Sequence, residues 1–161
     1  MSSQTANRIG VGLLAGTLLA LVGAIVMSKL TNPQPQADPD NPSLVAAGKQ
    51  IYERSCAACH GTSLEGQPDW RQKLSNGRMP APPHDASGHT WHHPDPVLFG
   101  ITKHGLIPGK YAPPGYQSDM PAFSGALPDE DIWAVLAYIK SSWPPEIRKA
   151  QHEVTLEHKQ R

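Results

Sequence analysis

The stretch RSCAACHG, residues 54–61, restricts this chain more than any other. Cys56 and Cys59 are its only cysteines, and His60 follows the second directly. A disulfide framework needs several spaced cysteines, so two thiols three residues apart do not make one. Elsewhere, seventeen prolines and fourteen glycines among 161 residues predict short helices joined by long loops. Such a chain has a thin apolar core. Long structureless loops in a compact domain usually carry function. Loops that wrap a large group other than protein resolve the difficulty.

The spacing names that group. Two thiols at i and i+3 near a helix end point to one side and can form thioether bonds to both vinyl groups of one haem. A histidine directly after the second cysteine then lies under the iron as proximal ligand. Two readings compete. A thioredoxin-like C-x-x-C needs a preceding strand and a βαβ setting. A structural zinc site needs four ligands, and the histidines downstream could supply the missing pair. The helical context favours one covalent haem c on Cys56, Cys59 and His60.

Three helices are legible, and no strand or internal repeat is. Ser43 is a good N-cap, and Leu44, Val45, Gly48, Ile51 and Tyr52 share one face, which predicts a helix over about 44–57. In DPVLFGITKHG, Asp95 caps, Pro96 starts and Gly105 ends a shorter helix. In PDEDIWAVLAYIKSSWPP, Pro128 suits the first position and Asp129, Glu130 and Asp131 load the first turn with negative charge. Ile132, Val135, Leu136 and Ile139 form its apolar face, and Pro144 and Pro145 stop it. The expected fold class is all-α.

The N-terminal region is organised differently. Residues 9–30 include an uncharged apolar run from Ile9 to Ser28. Twenty helical residues span about 30 Å, the apolar thickness of a bilayer. The run is longer than a signal-peptide core, and no good small-x-small site follows it. It therefore reads as an uncleaved transmembrane anchor, with residues 1–8 on the cytoplasmic side. Residues 31–43 hold four prolines and read as an extended tether. Residues 44–144 form the domain. The tail, residues 145–161, has too few apolar positions to bury firmly and reads as a polar, solvated or partner-contacting extension.

CAACH, the closing helix DIWAVLAYIKSSW and the SDMPAF segment before it together resemble a class I monohaem c-type cytochrome with an N-terminal membrane anchor. The resemblance covers about residues 43–143. It implies the class I cytochrome c fold, in which the first and last helices cross closely with a small residue facing an aromatic one. Gly48 and Tyr52 on one helix and Tyr138 on the other match. The resemblance also implies a domain outside the cytoplasm, in a bacterial periplasm, on an inner-membrane anchor.

Two methionines in the domain, Met79 in RMPAPP and Met120 in SDMPAF, precede prolines and therefore sit in extended backbone. Nineteen residues from His60 to Met79 reach about 60 Å at most, so length excludes neither as the distal ligand. In the family the distal methionine comes late, before the last helix, and Met120 matches; Met79 then packs at the haem edge. A thioether ligand favours ferrous iron and raises the potential. With His60 and Met120 both on the iron, substrate has no access, and the remaining task is one-electron transfer.

His84, His89, His92 and His93 cluster in PPHDASGHTWHHPD, with Asp85 and Asp95 nearby. Imidazoles suit copper and zinc, so a second metal site on these four is one expectation. Hydrogen bonding within a tight loop is the plainer one. The charge is balanced, with fourteen basic and fourteen acidic residues. No basic cluster suits phosphate, so no nucleic-acid partner is expected. The reading is an electron carrier rather than an enzyme. Its donor would be a quinol-oxidising complex or a dehydrogenase, and its acceptor a terminal oxidase or reductase. The alternatives are a haem sensor or enzyme with an open distal site, and a copper-handling protein using the histidine loop.

Overall fold

The structure is a computed structural model and describes residues 37–161. Five α-helices follow in order: α1 Pro42–Ser55, α2 Ala57–His60, α3 Asp95–His104, α4 Asp129–Ser141 and α5 Pro145–Lys159. A 3-10 turn at Thr90–His92 precedes α3. Among the described residues there is no strand, only an isolated bridge between Pro108 and Ala112. The anchor expected over 9–30 lies outside the described residues. No helix among the described residues is long and apolar enough to cross a membrane.

The first helix begins two residues earlier than its apolar pattern implied. Asn41, not Ser43, is the cap: its Oδ1 accepts from the Leu44 N–H at 3.2 Å. Pro42 then occupies the first turn, where its missing N–H costs nothing. The Ser43 hydroxyl donates to the same Asn41 oxygen at 2.8 Å. Gly48, Ile51 and Tyr52 are buried on the inner face.

That face meets α4, and this pair makes the most extensive helix–helix contact of the described residues. Gly48 permits it. A Cβ there would sit 2.5 Å from the Ala134 carbonyl carbon and 3.0 Å from the Tyr138 Cβ. Tyr52 and Tyr138 stand beside the crossing, ring centroids 5.3 Å apart. Ile51, Tyr52, Leu64, Ala134, Val135, Ile139 and Trp143 form one buried cluster. Ala37, Leu98, Ile132 and Leu136 form a second, so the last part of the expected tether already belongs to the folded domain.

Two expectations change at the far end of α4. Asp95 does not cap α3, whose N-cap position is Pro94 without a side-chain bond. Its carboxylate instead accepts from Lys140 Nζ at 2.9 Å and Gln151 Nε2 at 2.7 Å. The tail is not a solvated extension either. Pro144 and Pro145 end one helix and start the next, since proline fits a helix's first turn. In α5, Gln151 and Thr155 are buried. Gln151 donates to the His93 carbonyl, and the Thr155 hydroxyl accepts the Asp95 N–H at 3.1 Å. Ile147 packs against the first cluster, but the buried contacts of this helix are otherwise polar, so no apolar periodicity marks it in the sequence.

Candidate functional site

Cys56 interrupts α1 and begins α2 (φ −122°, ψ −37°). Its carbonyl accepts from the N–H groups of Cys59 at 3.1 Å and His60 at 3.0 Å. The motif is therefore a single helical turn, with both sulfurs and the histidine set by one backbone. Gly61 ends it with φ 80°, a conformation glycine adopts without penalty. The Tyr52 hydroxyl donates to the Gly61 carbonyl at 2.9 Å and ties the turn to α1. Cys56 and Cys59 are not joined by a disulfide. Burial first, then Cys59, pushes the Cys56 thiol up to about 11. Reactive redox cysteines have lowered values, and Cys56 is shifted the other way.

His60 is buried, and its Nδ1 lies 2.8 Å from the Pro82 carbonyl. A carbonyl only accepts, so Nδ1 carries the proton and Nε2 presents a bare lone pair. Metal-ligating histidines are held in this way. Burial lowers the His60 pKa below its ordinary value, and the Pro82 bond opposes that in part. Burial, the larger effect, favours the neutral imidazole, the form that binds iron.

The loop carrying Pro82 is firmly built. The Ala81 carbonyl accepts from the Gln67 N–H at 2.9 Å, and the Ala81 N–H donates to Gln67 Oε1 at 2.8 Å. The His84 N–H donates to the Leu64 carbonyl at 2.7 Å. Trp143 Nε1 donates to the His84 carbonyl, also at 2.7 Å.

Both candidate distal ligands are half-buried, and their loops are tied together. The Met79 N–H lies 3.4 Å from the Gln117 carbonyl. Arg78 donates to the Ser118 carbonyl at 2.9 Å and to Asp119 Oδ1 at 2.6 Å. The Met120 N–H donates to Ser118 Oγ at 3.0 Å. Beyond Met120, the Phe123 and Ser124 N–H groups bond the Thr102 and Lys103 carbonyls at the end of α3.

The four loop histidines disperse. His84 stacks on His60, centroids 4.0 Å apart. His89 stacks on Trp70 at 5.2 Å and meets His93 edge-on at 5.6 Å. His92 stacks on Trp91 at 3.7 Å. Among the described residues no group of three or more His, Cys, Asp or Glu side chains is placed to hold a metal ion. The structure does not bring His84, His89, His92 and His93 together as one ligand set. These rings face aromatic neighbours instead, and burial lowers His84, His89 and His93 below the usual histidine range.

Residues 45–143 match the family described as Cytochrome c. This chain belongs to the cytochrome c family. Its cytochrome c domain is 34% identical over 97 residues to the cytochrome bc1 complex cytochrome c subunit of Mycobacterium tuberculosis, covering 50% of this chain and 35% of that protein. The subunit of the same description from Mycobacterium leprae is 37% identical over 79 residues, with 40% and 27% covered. The thiosulfate dehydrogenase of Stutzerimonas stutzeri is 32% identical over 117 residues, with 71% and 31% covered. The chain spans about a third of the length of the curated relatives it matches. No solved structure matches it.

As a family member the domain carries covalent haem c, and its chemistry is haem-based electron transfer. The residues fit that group. Cys56 and Cys59 offer two sulfurs in one turn, and His60 offers a neutral Nε2. Trp91 Nε1 is buried without a protein partner, a donor that a haem carboxylate would satisfy. Bound haem c supplies a one-electron iron couple. The chain supplies an imidazole held by the Pro82 carbonyl and two methionine loops tied to each other. Three features here were not legible in the sequence: the Pro82 acceptor, the Arg78 bond across the distal loops and the Trp91 donor. The first two join residues remote along the chain, and the third depends on how Trp91 is buried, which no local spacing announces.

Proposed function

We propose that this cytochrome c domain is a membrane-tethered carrier that passes single electrons between respiratory partners. His60 and Met120 are its iron ligands. The observation that carries this reading is the His60–Pro82 bond, which leaves Nε2 free beside the two cysteine sulfurs. Position before α4 supports Met120, and Met79 lines the neighbouring loop. The relatives described as cytochrome bc1 complex subunits support a donor or host of the quinol-oxidising type. A terminal oxidase or reductase is the acceptor in this reading. The apolar run at 9–30 supports an inner-membrane anchor with the haem domain in the periplasm, where haem c is attached.

The test is an absorption spectrum of the full chain produced in a host that matures c-type cytochromes. Covalent haem with the weak far-red band of methionine on ferric iron is expected, and Met120→Ala should abolish that band while Met79→Ala retains it. Covalent haem with no such band, and rapid carbon monoxide binding by the ferrous protein, would move the reading to a sensor or enzyme. Protease added to intact spheroplasts should remove the haem domain and leave the anchor in the membrane. Protection of the domain would overturn the periplasmic placement.

A further inference from the structure

His84 is the least expected neighbour of the proximal ligand. Its ring lies on the face of His60, centroids 4.0 Å apart and planes 21° from parallel. It is itself held on several sides. Nδ1 lies 2.9 Å from the Thr90 hydroxyl, and Thr90 is buried. Its backbone is pinned by Leu64 and by Trp143, as described above. Tyr52 presents a ring edge to it, centroids 6.3 Å apart.

The two contacts on His60 restrain different motions. The Pro82 carbonyl accepts in the plane of the ring. Carbonyl oxygens accept over a broad range of directions, so such a bond tolerates tilt. A packed face does not, because tilting drives ring atoms into a neighbour already in contact, and protein interiors have little slack. The Pro82 bond therefore chooses the tautomer, and the His84 face chooses the plane. Outer groups of this kind orient metal ligands and tune the metal.

We propose that His84 is a positioning residue for the proximal ligand: its stacked ring fixes the plane in which the His60 imidazole meets the haem iron. The proposal rests on His60 being that ligand. Thr90 latches the ring, and Trp143 joins it to the end of α4, so the ligand plane is coupled to the helix crossing.

The test uses the full haem-loaded protein and three variants. His84→Leu keeps comparable bulk and removes the planar face. His84→Phe keeps the face and removes the polar atom. Thr90→Val keeps His84 and removes its latch. The readouts are the g values of the low-spin ferric signal in electron paramagnetic resonance and the midpoint potential, because the ligand plane sets the splitting of the iron d orbitals. His84→Leu should shift and broaden the largest g value and move the potential. His84→Phe keeps the face but loses the Thr90 latch, so it should keep the largest g value and the potential near wild type while broadening the signal as Thr90→Val does. Thr90→Val should broaden the signal with haem retained. Wild-type g values and potential in His84→Leu overturn the proposal, as does an equal shift in His84→Phe. A wild-type signal in Thr90→Val overturns it even where His84→Leu yields no haem-loaded protein. A wild-type protein without a histidine-ligated low-spin signal sinks the His60 assignment instead, a separate result.

Discussion

Adding one methyl group at Gly48 tests the architecture most directly. An isolated helix prefers alanine to glycine by about 0.8–1.0 kcal/mol, so propensity alone predicts that Gly48→Ala stabilises α1. The crossing predicts the reverse. The new Cβ would sit 2.5 Å from the Ala134 carbonyl carbon, with that carbonyl's oxygen closer still. Carbon atoms rest at about 3.5–4.0 Å, so the helices must part by roughly 1 Å. Overpacking costs about 1–3 kcal/mol. The obstacle here is backbone, which cannot rotate away, so the upper end applies. Subtracting the propensity gain leaves a net loss of about 2 kcal/mol, or a fall of about 8 °C in Tm for a domain of this size. Thermal unfolding of the haem-loaded protein, followed by tryptophan fluorescence and Soret absorbance, measures it. Ala46→Gly at an exposed position of α1 gives the propensity cost alone. Tyr138→Ala should not rescue Gly48→Ala, because the Ala134 carbonyl remains. A Gly48→Ala protein as stable as wild type would refute the close crossing.

Other outcomes are expected. Lys140 and Asp95 form a buried pair, their side chains 7% and 13% exposed. Lys140→Ala strands a buried carboxylate and should cost about 3 kcal/mol by denaturant titration; Lys140→Met with Asp95→Leu should cost less, and the opposite order would refute this account of the pair. Arg78→Ala unties the Ser118 carbonyl and Asp119 from the distal loop, so the far-red methionine band should vanish at a lower temperature than in wild type, with the Soret band retained; an unchanged midpoint would remove Arg78 from that role. Burial lowers the His89 and His93 pKa values. The unfolded chain then binds more protons below about pH 6.5, so their contribution is complete above that pH and is lost as pH falls through it. Stability measured from pH 7 to pH 5 should fall less steeply in His89→Gln/His93→Gln, and an equal slope would contradict the sign.

The legible parts of this protein were those whose cause is local. CAACH places three groups on one turn because helical spacing is the same in any context. Ile132, Val135, Leu136 and Ile139 were readable as one face for the same reason. Gly48 was singled out by the resemblance to class I c-type cytochromes, which implies a close crossing of the first and last helices. Errors arose where several residues could perform one local task. Asn41 and Ser43 both cap helices, and proline's fit to a first turn decided for Asn41. Asp95 stands where a cap belongs, yet a buried lysine drew its carboxylate away. The tail lacked apolar periodicity and still docked, through Gln151 and Thr155.

Sequence alone pointed to haem c, with Cys56, Cys59 and His60 as the residues expected to hold it, and to helices around it, because thioether spacing and apolar periodicity need nothing beyond the chain itself. Tertiary structure decided which carbonyl sets the His60 tautomer, which ring lies on its face, and how the four histidines divide. Pro82 is twenty-two residues from His60, and Trp143 is fifty-nine from His84. Contacts across such separations depend on how the helices cross and how the loops close over the space between them, and the Gly48 crossing governs that geometry.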